Sequence, residues 1–178
     1  SVVAPDEVVV LGSGHDVAPV MELANKNNFR TCSISFRGGV DQEEVVPHAD
    51  RTVKTTPSEL LEAHDFDEDS FVVVMTHRFV DDQAALEELV TTAAPYIGLM
   101  GPGERFERIL EESPEETREH LAESGERVFT PIGLNLGGGS PYQIATSIVA
   151  EILAVRNGRK PGHLREREGP IHARIESS

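Results

Sequence analysis

Short apolar runs alternate with longer amphipathic stretches along this chain. The run Glu7–Leu11 (EVVVL) is apolar at every position after the first, which suits a strand covered on both faces. It breaks at Gly12-Ser13-Gly14-His15-Asp16. Val17, Val20, Met21 and Ala24 then recur at helical spacing and predict a helix over Val17–Lys26. A second strand is expected at 31–36, ending in Arg37-Gly38-Gly39, then an acidic loop over 40–50 and a weak strand at 51–54. Thr56-Pro57 opens a short helix over 58–63. Positions 71–75 (FVVVM) carry the strongest strand pattern, and a helix over 82–92 turns Leu86, Leu89 and Val90 inward. Positions 96–100 (YIGLM) form the next strand, and 128–130 a short one; the Glu-rich helices at 104–111 and 114–122 between them are mostly solvated. Ile144, Ile148, Ile152 and Val155 mark the last helix, stopped by Asn157-Gly158.

This alternation predicts an α/β fold: a three-layer, Rossmann-like doubly wound, mostly parallel sheet with helices on both faces. The length of 178 residues fits one such domain, expected over 1–158, with 159–178 as a charged tail or arm. The sequence begins at Ser1 and not at Met, which fits a piece of a longer protein as well as a stand-alone one.

Charge and cysteine content narrow the function classes. The formal net charge of −15 repels nucleic acid and anionic membranes, so neither is an expected partner. The single cysteine, Cys32, can form no internal disulfide and is read as a small core residue. No apolar run reaches the roughly 18 residues of a membrane span, and no signal-peptide pattern opens the chain, so a cytoplasmic location is expected. Acid excess with 3 Lys against 13 Arg also fits a halophilic cytosol, where about 1 M salt shortens the Debye length to about 3 Å.

The candidate chemistry gathers at strand ends. Gly12-Ser13-Gly14 follows the first strand, where a glycine turn and a helix N-terminus can cradle phosphate; a plain strand-to-helix turn fits equally. With strand order 3-2-1-4-5-6, His15 and His77 would face each other across the crevice at the topological switch point, with Thr76 beside them and Asp82 orienting one ring. Arg37, Arg78 and Arg105 follow strand ends and would supply countercharge to an anion, unless Arg78 and Arg105 pair with nearby acids. Gly101 and the Gly137–Gly139 run also follow strands. His48, His64, His120 and His163 stand in polar surroundings and are expected at the surface.

Several stretches occur together in fixed order: Gly12-Ser-Gly-His15, Met75-Thr-His77, Tyr96-Ile-Gly-Leu-Met-Gly101, Pro131-Ile-Gly-Leu-Asn-Leu-Gly137, and the run from Pro141 to Gly158. Over positions 7–158 the chain resembles the C-terminal Rossmann domain of the XdhC/CoxI family of xanthine dehydrogenase accessory factors. The resemblance implies a non-catalytic protein that binds and delivers the molybdenum cofactor (molybdopterin) to a molybdenum hydroxylase such as xanthine dehydrogenase or carbon monoxide dehydrogenase. A cysteine desulfurase as second partner and a homodimer are implied in the same way. Gly133, Asn135 and Gly137 join the binding set through the matched motif. Four stretches depart from the family pattern: Ser35-Phe36 replaces Asp-Asp, Phe79 a second histidine, Gly101-Pro102-Gly103 a Gly-Ser-Arg, and Asn135 an aspartate. An NAD(P)-binding oxidoreductase and a nucleotide-sensing regulatory domain remain the alternatives.

Overall fold

In the computed structural model, residues 6–36 and 46–167 are described. Six strands run in chain order as β1 (Glu7–Leu11), β2 (Arg30–Phe36), β3 (Arg51–Thr55), β4 (Ser70–Val74), β5 (Tyr96–Leu99) and β6 (Val128–Phe129). They form one sheet of order β3-β2-β1-β4-β5-β6, with every pair parallel. The expected α/β, doubly wound Rossmann architecture is therefore observed, and its switch point lies between β1 and β4.

The helices are α1 (Val17–Lys26), α2 (Leu60–Ala63), α3 (Phe79–Leu89), α4 (Gly103–Glu112), α5 (Glu115–Glu123) and α6 (Pro141–Arg156). Alternation along β1 divides the core. Val8 and Val10 pack with Val20, Met21, Ile148 and Ile152 of α1 and α6, whereas Val9 and Leu11 pack with Leu86, Leu89 and Ile109 of α3 and α4. A strand buried on both faces must be apolar at both parities, and β1 is.

Local chemistry sets the element ends. Helix α6 starts at a capping box: Ser140 Oγ accepts from Gln143 N, Gln143 Oε1 accepts from Ser140 N, and Pro141 fills the first turn. Helix α3 starts at Phe79, three residues before the expected start, because buried Asp82 accepts the Thr76 N–H and fixes the chain one turn earlier. It ends at Leu89, where the Arg127 guanidinium donates to the carbonyls of Val90, Thr92 and Ala94. The expected helix over 58–63 divides into a 3-10 turn, Pro57–Glu59, and α2. The Glu-rich helices are solvated on their outer faces, as expected, and bury Ile109 and Leu121. Among the described residues, no helix is long and apolar enough to cross a membrane.

Candidate functional site

The carboxyl ends of β1, β4 and β5 open into one crevice. At β1 the chain turns through Gly12 at φ +153°, where an added Cβ would stand 2.5 Å from the Met75 carbonyl oxygen at the end of β4. Only glycine lets these neighbouring strand ends approach so closely. Gly12→Ala is expected to cost about 1–3 kcal/mol of stability, the range for forced backbone strain. Gly103→Ala, where an added Cβ meets nothing within 4 Å, should be neutral when both variants are unfolded in urea.

His77 follows β4 at φ +63°, an unusual conformation for a non-glycine residue. That turn carries its ring across the crevice to α1, where Nε2 lies 2.7 Å from Asp16 Oδ2. The carboxylate orients the ring, with Nε2 turned to Asp16 and Nδ1 turned away from it. His77 and Asp16 are both partly open to solvent, at 54% and 33% side-chain exposure. The expected His15–His77 pair does not form: His15 is exposed, and Asp16, one residue on, takes the bridging place.

Asp82 is buried, at 1% exposure. In place of the expected histidine, it accepts from Thr76 N and Oγ1 on one oxygen and from Arg105 Nε and Nη2, at 3.1 and 2.7 Å, on the other. Arg105 is thereby fixed at the mouth, with its stem against Gly101. Met75, His77, Met100, Gly101 and Arg105 line a cavity of about 130 Å³ there. Arg78 points outward, largely exposed, and lies 3.6 Å from Asp81. Both arginines thus have acid partners, and only Arg105 is seated in the crevice. Arg37 lies outside the described residues.

Two further expectations are corrected. The Gly12 N–H is taken by the Ile34 carbonyl at 2.9 Å, so it cannot serve a phosphate. Gly133 has a structural role: its N–H donates to Glu151 Oε1 at 2.9 Å, and Ser147 Oγ lies 2.6 Å from where a Cβ would stand. The same oxygen accepts the buried Tyr96 hydroxyl at 2.7 Å, so Glu151 ties the 131–134 segment to β5. Ser13, Asn135 and Gly137 are exposed on their loops.

A second cluster lies at the opposite, amino edge of the sheet. His64, expected at the surface, is 6% exposed; its Nε2 is 2.7 Å from Glu7 Oε1 and its Nδ1 is 3.9 Å from Cys32 Sγ. The three groups form a chain in which the Cys32 thiol faces Nδ1 and Nε2 faces the Glu7 carboxylate. Burial, with the Glu7 charge beside it, pushes the Cys32 thiol up to about 12. Cys32 should therefore resist thiol reagents at pH 7–8 until the protein unfolds. Rapid modification of the native protein by a disulfide reagent would refute that expectation. An acid opening a buried apolar strand is the sequence signal for this cluster, since a buried charge needs a partner.

The family model for the XdhC Rossmann domain matches residues 8–152. A probable xanthine dehydrogenase subunit of Bacillus subtilis (strain 168) is 30% identical over 149 residues, which is 84% of this chain and 42% of that protein. The uncharacterized protein YqeB of Escherichia coli (strain K12) is 27% identical over 158 residues, 87% of this chain and 28% of its own length. The crystal structure of a xanthine dehydrogenase from Bacillus halodurans superposes with a TM-score of 0.71 at 29% identity, covering 85% of this chain and 44% of that one. The chain spans less than half the length of each of these relatives. Strand order, switch-point crevice and matched residues agree: the chain belongs to the XdhC Rossmann-domain family.

Proposed function

We propose that this domain serves an accessory role for a molybdenum hydroxylase of the xanthine dehydrogenase type, holding the molybdenum cofactor at the carboxyl edge of the sheet for delivery. Family membership and relatives that bear the xanthine dehydrogenase name support the partner class. A cysteine desulfurase and a second copy of the chain are further partners in this reading. The observation that carries the ligand class is Arg105 in the switch-point crevice: its charge is paired with buried Asp82 through Nε and Nη2, and among the described residues its Nη1 is left to donate to a ligand oxygen.

The residues fit the polar ends of the group: the crevice sets the Asp16 carboxylate and the His77 ring beside an open cavity of about 130 Å³ lined by Arg105. Arg105 would meet the phosphate or dithiolene end, and Asp16 with His77 would meet the ring edge. When bound, the cofactor supplies the molybdenum centre that the partner uses; the domain's residues hold and orient it.

Calorimetry at molar KCl with molybdopterin, NAD, NADP and AMP tests the reading. Micromolar binding of molybdopterin alone is expected, and His77→Ala should weaken it about tenfold while shifting Tm little, because the ring is largely exposed. Tight NADP or AMP binding without molybdopterin would favour the oxidoreductase or nucleotide-sensing alternatives.

A further inference from the structure

Resting on the reading above, we infer that the turn between β1 and α1 is no phosphate cradle: the Asp16–His77 bridge reads the hydrogen-bond-donor edge of a cyclic amidine, the 2-amino-4-oxopyrimidine edge that pterins and guanine share.

A doubly wound domain ordinarily seats a dinucleotide pyrophosphate on free N–H groups at the first helix N-terminus. Here three of those positions offer no free donor: Gly12 N donates to Ile34 O, Val17 N donates to Gly14 O, and Pro19, in the first turn of α1, has no N–H. A carboxylate stands at the same place. Asp16 occupies the N-cap position of α1, yet its side chain makes no cap bond and spans the crevice to His77 instead. A pyrophosphate would meet that charge directly, at the point where it needs donors.

The other Asp16 oxygen, Oδ1, has no hydrogen-bond donor among the described residues. It packs over Gly14, 2.9 Å from where a Cβ would stand, so the glycine is what lets the carboxylate lie flat along the turn. Each carboxylate oxygen has two lone-pair sites, so Asp16 can accept a paired N–H edge on Oδ1 and on the second site of Oδ2 while His77 Nε2 holds the first. Arg105 lies across the same mouth, so a molecule with a donor edge at one end and negative charge at the other matches both ends. An adenine ring, which lacks the amidine edge, does not.

The test compares wild type with Asp16→Asn by calorimetry at molar KCl, using unsubstituted pterin, GMP, AMP, NADP and molybdopterin as probes. Wild type is expected to bind molybdopterin, pterin and GMP and to reject AMP. In D16N, pterin and GMP should weaken about 10- to 100-fold, the span for losing charge-assisted hydrogen bonds, while NADP tightens. Preference for pterin over GMP assigns the ring as a pterin, and the reverse preference assigns it as a guanine nucleotide; either upholds the donor edge. AMP or NADP binding to wild type as tightly as GMP, or D16N binding pterin unchanged, overturns it. Asp16→Ser serves as the second variant if D16N shifts Tm. Equal molybdopterin binding by wild type and D16N removes the role of Asp16 and leaves the proposed function standing; a wild type that binds no probe removes both.

Discussion

Asp82→Ala is expected to destabilise the domain by about 3–4 kcal/mol, a large share of the 5–15 kcal/mol that holds a typical native protein. The carboxylate is 1% exposed and joins three things that otherwise have no reason to meet: the end of β4 through Thr76, the start of α3 through its own position, and α4 through Arg105. Its removal strands the Thr76 N–H and leaves the guanidinium without its counterion; Arg105 keeps 24% exposure, so water recovers part of the loss. Arg105→Ala should cost a similar amount, because it leaves a buried carboxylate with Thr76 alone. The double variant should be little worse than Asp82→Ala, giving a coupling of about 3 kcal/mol in a urea cycle. Additive losses would mean that the two side chains act independently, against the geometry.

Glu151→Ala is the second large effect, about 3 kcal/mol or roughly 6–12 °C in Tm. One oxygen, Oε1, accepts both the Tyr96 hydroxyl and the Gly133 N–H. Burial, reinforced by the Glu151 charge and its hydrogen bond, pushes the tyrosine far above its ordinary range, so it stays a donor at any working pH. Without Glu151 both donors are left unpaired beneath α6. Glu151→Gln should cost under about 1 kcal/mol, since an amide oxygen can accept from both. Equal losses for Ala and Gln would show that the negative charge, and not the acceptor, matters.

Much of the fold is legible in the sequence because burial in this topology is periodic. Glu7–Leu11 and Val17–Lys26 form the strand and helix that their apolar spacing predicts, and 3-2-1-4-5-6 is the observed strand order. The site is legible in place and not in wiring. Periodicity says which face of an element is buried, but it does not say which distant group a carboxylate meets. Asp81 and Asp82 look alike along the chain; only the fold turns Asp82 inward to Thr76 and Arg105 and leaves Asp81 by Arg78. Asp16 stands beside the expected histidine, yet no local pattern marks it, because its partner lies 61 residues on. His64 reads as a surface residue among acids, while Glu7, 57 residues away, needs it. The arginines look equivalent in sequence; in the fold Arg78 lies outward by Asp81, Arg105 sits in the crevice on Asp82, and Arg37 is outside the described residues.

In the proposed function the ligand occupies the crevice at the carboxyl ends of β1, β4 and β5. Amide chemical shifts of the nitrogen-15-labelled chain, followed while molybdopterin is added at molar KCl, test it most directly. Shifts concentrated at Gly14, Asp16, Thr76, His77, Gly101 and Arg105, with Cys32 and His64 unmoved, are the predicted result. Shifts confined to the amino edge of the sheet or to residues 157–167, with the crevice silent, would contradict it.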